Sequence, residues 1–217
     1  GYDLRALIDH DDEKLAETKY TQPAILTTSV AILRLLESKG FTYDVVAGLS
    51  LGEYSALVAS GSLSFADALR LVAKRGQYMA EAAPTGSGKM VAVMNTPADV
   101  IEAACQTASE KGIVSPANYN TPAQIVIGGE VVAVDEAVAL LTQAGVKRMI
   151  PLKVSGPFHT ALLAPASEKL AAELEQVDFQ AFTKPLISNT TAHVMPFDEI
   201  KTLLTRQVKE PVKFYAS

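Results

Sequence analysis

The feature that most constrains this chain is a serine between two glycines, in the stretch DVVAGLSLGEYSALVASG at residues 44–61. An apolar, strand-like run precedes Ser50, and an alanine-containing, helix-like run follows it. A nucleophile elbow is a sharp strand-to-helix turn that exposes a reactive serine, and it needs small residues two positions before and after that serine. Gly48 and Gly52 meet this requirement. The stretch therefore predicts either a serine nucleophile at position 50 or an ordinary strand-to-helix junction marked by two glycines.

Hydrophobic periodicity along the rest of the chain predicts alternating helices and strands, and so an α/β fold. Residues 86–153 follow the order strand, helix, strand, strand, helix, strand, which is the split pattern of a ferredoxin-like unit. We expect this unit to be a small domain inserted into a larger one. The larger domain would then be discontinuous, formed by residues 1–85 and 154–217.

The first long helix is predicted over residues 21–40, TQPAILTTSVAILRLLESKG. Pro23 suits the first turn of a helix, and Gly40 stands where a helix ends. Apolar residues that recur at helical spacing predict its buried face: Ile25, Val30, Leu33 and Leu36.

Composition excludes several classes of function. The formal net charge of −5 argues against a nucleic-acid partner, and no apolar run approaches the roughly 18 residues that span a bilayer, so no membrane partner is expected. The single cysteine, Cys105, cannot form an internal disulfide, which suits a reducing compartment such as the cytoplasm. No H-E-x-x-H motif or cysteine pair offers metal ligands, so we expect neither a metal nor a cofactor.

A serine needs a base to become a good nucleophile, and the chain has three histidines. His10 lies in the acidic stretch IDHDDEK, which is typical of a solvated loop, and His193 lies in a turn, TTAHVMP. His159 lies in VSGPFHTALL, where the chain leaves a strand through a Gly-Pro turn and enters a helix. If Ser50 is the nucleophile, His159 is by elimination the best candidate for its base.

An arginine on an apolar stripe is the third unusual feature. Helical spacing places Arg75 beside Leu71, Val72 and Met79. A guanidinium there is costly to bury without a partner. Arg75 either extends to solvent, or pairs with an internal carboxylate, or binds the carboxylate of a ligand in a bidentate manner.

Four ordered segments of the sequence carry a resemblance that runs along essentially the whole chain. GLSLGEYSALVASG, LVAKRGQYM, ANYNTPAQIVIGG and VSGPFHT together resemble the malonyl-CoA:acyl carrier protein transacylases of bacterial fatty acid synthesis. This resemblance implies a hydrolase-like large domain with a parallel sheet and a nucleophile elbow, plus the ferredoxin-like small domain. It also implies malonyl-CoA and acyl carrier protein as partners.

The resemblance further implies a ping-pong reaction with a Ser-His dyad. Ser50 would attack the malonyl thioester while His159 takes its proton, and the carrier-protein thiol would then attack the malonyl-serine. Arg75 matches the family arginine that binds the malonyl carboxylate, and the N–H of Leu51 matches an oxyanion donor. Gln207 matches the residue whose backbone carbonyl orients the histidine.

The remaining candidate residues also come from the resemblance. Phe158 matches a bulky neighbour of the histidine that excludes branched acyl groups. Met79 and Asn118 join Phe158 among the candidates for substrate contact. Gln22 and Asn120 fall in family-like motifs near the cleft and are expected to lie behind the residues that contact substrate.

The chain also departs from the family pattern. Leu49 stands where the family usually has a histidine, and no Gly-Gln-Gly segment, which supplies a second oxyanion N–H in the family, is present. We therefore expect the sequence to be an internal fragment that lacks both family termini. Two alternative functions stay open at this point: a serine thioesterase or esterase, and a fragment of low activity that only binds coenzyme A or carrier protein.

Overall fold

The structure is a computed structural model that describes residues 2–84, 86–154 and 156–217. Thr85 marks the end of the first predicted domain segment, and it lies outside the described residues together with Gly1 and Ser155. The helices are α1 (Leu4–His10), α2 (Asp12–Leu15), α3 (Thr18–Ser38), α4 (Gly52–Ala59), α5 (Phe65–Ala82), α6 (Ala98–Ala108), α7 (Val131–Gln143), α8 (Ala164–Glu175) and α9 (Ile200–Gln207). The strands are β1 (Val46–Ala47), β2 (Lys89–Met94), β3 (Val114–Thr121), β4 (Gln124–Gly129), β5 (Met149–Pro151) and β6 (Leu186–Ile187). The predicted α/β class is confirmed.

Strands β1 and β6 form a parallel pair of two residues each. Val46 lies opposite Leu186, and Ala47 lies opposite Ile187. Because the strands run in the same direction, the chain segments that follow them leave the same edge of the pair. Ser50 follows β1 at that edge, so the residues that follow β6 are its close neighbours.

Strands β2 to β5 form a second sheet, in the order β3-β4-β2-β5, and every neighbouring pair in it is antiparallel. Helices α6 and α7 pack together, and α7 also contacts β2, β3 and β4. Ile101, Ile127 and Leu141 are fully buried in the core between them. The strand and helix order predicted for residues 86–153 is the order observed.

Helix α5 lies at the centre of the remaining core and packs against α3 and α8. The Ser64 hydroxyl accepts a hydrogen bond from the Asp67 N–H at 3.1 Å, which caps the start of this helix. Its apolar face, which includes Leu71 and Val72, is buried as the sequence pattern predicted. Arg75 lies on this buried face.

Helix α3 differs from the prediction in its start and in its buried face. It begins at Thr18, three residues earlier than expected, so Pro23 lies inside the helix and not in its first turn. A proline has no N–H to donate to the preceding turn, yet the helix continues through it. The predicted stripe is wrong at both ends, because Ile25 and Leu36 are exposed while Leu26, which the stripe omitted, is fully buried.

No helix among the described residues is both long and apolar enough to cross a membrane.

Candidate active site

Ser50 sits in a sharp turn between β1 and α4. Its φ of +53° lies in the left-handed region, which is uncommon for a residue other than glycine. A Cβ atom at Gly48 would overlap the carbonyl oxygen of Gly52 and lie 2.7 Å from the Glu53 nitrogen, so this position requires glycine. A Cβ at Gly52 would meet nothing within 4 Å, so the expected need for a small residue there is wrong. The turn is tight on its strand side only.

His159 contacts the Ser50 hydroxyl directly. Its Nε2 lies 2.7 Å from Ser50 Oγ, although the two residues are 109 positions apart. His159 is buried and, like Ser50, has a positive φ, of +58°. His10 and His193 are both exposed. Of the three histidines, His159 is the one that contacts Ser50.

The His159 ring is oriented by a backbone carbonyl. Its Nδ1 lies 2.8 Å from the carbonyl oxygen of Gln207, at the end of α9. A carbonyl only accepts hydrogen bonds, so Nδ1 carries the proton and Nε2 is left to accept one from Ser50. Burial, with a smaller effect of the nearby Arg75 cation, lowers the pKa of His159 to about 4. The imidazole is therefore neutral at pH 7 and can act as a base.

Arg75 joins the same cluster through both of its terminal nitrogens. One donates to Gln22 Oε1 at 2.6 Å. The other donates to Ser50 Oγ at 3.1 Å and to Gln207 Oε1 at 3.0 Å. The guanidinium also lies over the Tyr54 ring, 5.4 Å from its centroid. A cation that contacts Ser50 Oγ favours the negative charge that develops when this hydroxyl loses its proton.

The close approach of α3 and α5 brings Gln22 to Arg75. A Cβ at Gly76 would lie only 2.9 Å from the Thr18 carbonyl oxygen, so glycine is what lets the two helices pack here. Gln22 then reaches Arg75 with its amide oxygen and donates from its amide nitrogen to Thr18 Oγ1 at 3.0 Å. Because its nitrogen has this acceptor, its oxygen is held toward the arginine.

Arg75 does not extend to solvent, since only 1% of its surface is exposed. Among the described residues it has no carboxylate within salt-bridge distance, and its hydrogen-bond acceptors are the neutral oxygens of Gln22, Ser50 and Gln207. Its Nε has no acceptor in this part of the chain. A buried cation with neutral partners is a favourable site for an incoming anion.

Three predicted pocket residues lie around this cluster. Leu51 directly follows Ser50 at the start of α4, and its N–H donates to no acceptor among the residues that the structure describes. Met79 is buried one turn after Arg75, and its sulfur accepts a hydrogen bond from Gln22 at 3.4 Å. Phe158 is half-buried beside His159 and packs against the face of the antiparallel sheet.

The two asparagines of β3 are not joined to the Ser50 cluster by hydrogen bonds between described residues. Asn118 is buried at the edge of the sheet, where it pairs with Val126 and bridges to Val212. Asn120 donates from its amide to Gln124 Oε1 at 2.8 Å, and its own amide oxygen is buried without a partner in the described chain.

Known proteins show the same arrangement over the whole chain. A sequence profile described as "Acyl transferase domain" matches residues 1–216. The malonyl CoA-acyl carrier protein transacylase of Escherichia coli K12 is 46% identical over 220 residues, which are 100% of this chain and 71% of the relative. The Bacillus subtilis enzyme of the same name is also 46% identical, over 97% of this chain and 67% of its own length.

The chain belongs to the acyl transferase domain family.

Solved structures of family members agree closely with this fold. The crystal structure of MCAT from Streptococcus pneumoniae superposes with a TM-score of 0.97 at 71% identity, over 100% of this chain and 71% of that one. A malonyl-transacylase solved in complex with a type II polyketide synthase acyl-carrier protein superposes with a TM-score of 0.95 at 43% identity, over 99% of this chain and 70% of that one.

Two residues of this acyl transferase site were missed in the sequence. Asn189 and Glu53 are both buried, and both contact the turn that holds Ser50 or the groups around it. Glu53 Oε2 accepts from the Gln207 amide, and burial raises the pKa of Glu53 to about 7 against the opposing effect of its hydrogen bonds. A glutamate three residues after Ser50, in an otherwise apolar helix, was a signal that could have been used. Asn189 offers no such local signal.

Proposed function

We propose that this chain transfers a malonyl group from coenzyme A to the phosphopantetheine thiol of acyl carrier protein, through an ester on Ser50. The observation that carries the proposal is the Ser50 hydroxyl, which contacts both the His159 imidazole and the Arg75 cation, at 2.7 Å and 3.1 Å. The named relatives, which are malonyl CoA-acyl carrier protein transacylases, support the same substrate and acceptor.

In the first half-reaction, Ser50 Oγ attacks the thioester carbonyl of malonyl-CoA as its proton passes to His159 Nε2. The new O–C bond gives a tetrahedral oxyanion, and in this proposal it is stabilised by the N–H of Leu51, which has no acceptor among the described residues. Collapse of this intermediate breaks the C–S bond. The proton on His159 passes to the departing thiolate, and malonyl-serine remains.

Arg75 binds the free carboxylate of the malonyl group in this proposal. Its burial among neutral hydrogen-bond acceptors supports that role, because a malonyl carboxylate would give the guanidinium a directly bonded anionic partner. Gln22 and Gln207 hold the guanidinium in place. An acetyl group has no carboxylate, so it would bind with less energy.

In the second half-reaction, the phosphopantetheine thiol of acyl carrier protein takes the place of coenzyme A. His159 accepts the thiol proton, sulfur attacks the malonyl ester, and the Ser50–O bond to the acyl carbon breaks. His159 then returns the proton to Ser50 Oγ. The Gln207 carbonyl keeps the ring in the required tautomer through both halves. We propose that this exchange takes place in the cytoplasm.

Four further residues complete the proposed pocket. Phe158 and Met79 are proposed to shape the acyl site beside His159 and Arg75. Asn118 and Asn120 are proposed to contribute polar groups at the edge of the antiparallel sheet, away from the reacting atoms. No metal or cofactor enters any step.

The proposed domain division follows the two sheets. Residues 86–153, whose strand order is β3-β4-β2-β5, form a ferredoxin-like small domain. Residues 1–85 and 154–217 form a hydrolase-like large domain in which the parallel pair carries the nucleophile elbow. The reacting groups then lie where the His159 loop of the large domain packs on the small sheet.

The proposed function is tested by measuring whether the malonyl group is transferred to carrier protein or released to water. We would load the protein with malonyl-CoA, add acyl carrier protein with its phosphopantetheine arm, and follow malonyl-carrier protein and free malonate by mass spectrometry. Transfer to the carrier thiol is expected to dominate, and carrier protein without the arm should receive nothing. Release of malonate to water as the main product would instead indicate a thioesterase, and loading without either product would indicate a binding function.

A further inference from the structure

Asn189 lies at the same edge of the parallel strand pair as Ser50. It is the second residue after β6, whereas Ser50 is the third residue after β1. The two strands are parallel and in register, so the segments that follow them meet although they are 139 residues apart in the sequence. Asn189 has no exposed surface.

The Asn189 side chain contacts the backbone of the nucleophile turn at two points. Its Oδ1 accepts a hydrogen bond from the Ser50 N–H at 2.5 Å. Its Nδ2 donates to the Gly48 carbonyl oxygen at 2.8 Å. The amide therefore spans Leu49 and holds the peptide groups on both sides of it.

The backbone of Asn189 is itself fixed. Its N–H donates to Glu53 Oε1 at 3.2 Å, and its carbonyl accepts from the Lys213 N–H at 2.9 Å. All four polar groups of this residue thus have partners, and three of those partners lie between Gly48 and Glu53. Because these hydrogen bonds fix the position of Asn189, its side-chain amide can in turn restrict the conformation of the Ser50 turn.

The nucleophile turn needs such support. A positive φ at a residue other than glycine costs on the order of 1–3 kcal/mol and persists only where its surroundings enforce it. Strands of two residues supply few ladder hydrogen bonds to do so. The Asn189 amide also occupies the Ser50 N–H, which leaves the N–H of Leu51 for the oxyanion.

We propose that Asn189 is a positioning residue, whose side-chain amide holds the Ser50 turn in the conformation that aligns Oγ with His159. This inference rests on the function proposed above, since its effect is expected on the transfer of the acyl group to Ser50. Asn189 does not touch Ser50 Oγ, so its loss should lower the maximal rate of acylation and leave unchanged the malonyl-CoA concentration that gives half of that rate.

Asn189→Asp gives a pH-dependent test. A neutral carboxyl reproduces the amide, since one oxygen accepts from the Ser50 N–H while the protonated oxygen donates to the Gly48 carbonyl. An ionised carboxylate cannot donate, and it repels that carbonyl. Burial and the adjacent Glu53 raise the pKa of the new carboxyl, whereas Arg75 opposes this, and His159 is neutral above about pH 5.

We would measure the first-order rate of Ser50 acylation by malonyl-CoA at about pH 5.5 and about pH 8. At the higher pH, Asn189→Asp should be about 10²-fold slower than the wild type, as expected for a misplaced nucleophile. At the lower pH it should recover to within about tenfold of the wild type. Asn189→Leu, which has similar volume and no polar atoms, should stay about 10²-fold slower at both pH values.

Thr190→Val is the matched control. Thr190 is the next residue and is also buried, but its hydroxyl donates to the Leu203 carbonyl at 3.3 Å and not to the turn. It should acylate at the wild-type rate. Circular dichroism at both pH values would report the folded fraction of each variant, to which each rate is normalised.

Two results would overturn the inference. One is an Asn189→Leu rate within twofold of the wild type. The other is an Asn189→Asp rate that does not rise at the lower pH, and this comparison alone decides if the leucine variant does not fold. Failure of the proposed function is a separate outcome, because the wild-type protein would then form no malonyl adduct, or would form one without passing it to carrier protein.

Discussion

The two segments that carry Ser50 and His159 are supported in different ways. Ser50 is held through its backbone, by Asn189 and by the Gln207 amide, which donates to the Ser50 carbonyl at 3.0 Å. His159 is held through its ring, by the Gln207 carbonyl at 2.8 Å. Both residues adopt a positive φ. Gln207 contacts both segments, with its side chain on one and its backbone on the other.

The two segments also rest on different sheets. The Ser50 turn directly follows strand β1 of the parallel pair, whereas the His159 loop packs on the antiparallel sheet. A Cβ at Gly88 would contact Pro157 of this loop, and one at Gly128 would lie 3.3 Å from the Thr160 side chain. Ser50 is thus fixed by hydrogen bonds to its own turn, and His159 by close packing of its loop and by one carbonyl. The active site depends on both sheets keeping their relative position.

Arg75 contacts the Ser50 hydroxyl and the Gln207 side chain, and its removal should have the largest effect. Arg75→Ala is expected to lower the ratio of kcat/KM for malonyl-CoA to that for acetyl-CoA by about 10²- to 10³-fold, because a charged partner of the malonyl carboxylate is lost. The ratio is measured within one variant, so any loss of folded protein cancels. Steady-state rates with the two thioesters provide it.

Lys74→Ala is the control for this change. Lys74 is the neighbouring cation on α5, but it is half-exposed and lies 3.7 Å from Glu173. Its loss should leave the ratio of the two substrates unchanged. An unchanged ratio in Arg75→Ala as well would remove the carboxylate-binding role from Arg75.

The two glycines of the nucleophile turn should differ in their sensitivity. Gly48→Ala is expected to lower the free energy of unfolding by about 3 kcal/mol or more, because its Cβ would overlap backbone atoms that cannot rotate away. Gly52→Ala should change it by less than about 1 kcal/mol, in the stabilising direction, since the position is open and helical. Urea unfolding curves would measure both. Equal effects would mean that the turn is not tight on its strand side.

The pH dependence of the acylation rate tests the burial of His159. Of the effects predicted here, the change in this rate caused by His159 is expected to be the smallest. With a pKa of about 4, His159 stays neutral down to about pH 5.5, so protonation of this imidazole should not lower the rate between there and about pH 8. Glu53, with a pKa of about 7, is the buried group of the site that titrates within this range. An ordinary histidine, with a pKa near ~6.5, would lose roughly nine-tenths of its neutral form at the lower end of that range. A tenfold fall in rate at about pH 5.5, with the protein still folded, would contradict the environment described for His159.

The same shift affects stability with a definite sign. The unfolded imidazole takes up a proton at a higher pH than the folded one, near ~6.5 against about 4. The contribution of His159 to stability is therefore present above about pH 6.5 and is lost as the pH falls toward about 4.

The sequence could predict the elements of the fold and the three side chains, Ser50, His159 and Arg75, that the structure brings together. The order of strands and helices in residues 86–153 follows from local hydrophobic patterns, and Ser50 follows from its flanking glycine and helix. His159 could be reached only by elimination, because a loop histidine carries no local sign of what it contacts. The ligand expected for Arg75, the malonyl carboxylate, came only from the motif resemblance.

Contacts between distant residues could not be predicted in this way. Asn189 meets Ser50 only because β1 and β6 pair in parallel, and each of these strands has two residues and a weak sequence pattern. The buried face of α3 was also missed, since helical spacing alone does not say which of Ile25 and Leu26 faces the core. Both the Asn189–Ser50 contact and the buried face of α3 depend on packing between segments that are distant in the sequence.

The intact mass of the protein after brief incubation with malonyl-CoA tests the central claim most directly. The wild type should gain one malonyl group, and peptide mapping should locate it on Ser50. Ser50→Ala should gain none, whereas Ser55→Ala, which removes a hydroxyl from the same helix without touching His159, should be loaded like the wild type. A malonyl adduct that persists in Ser50→Ala, or its absence from the wild type, would contradict the account.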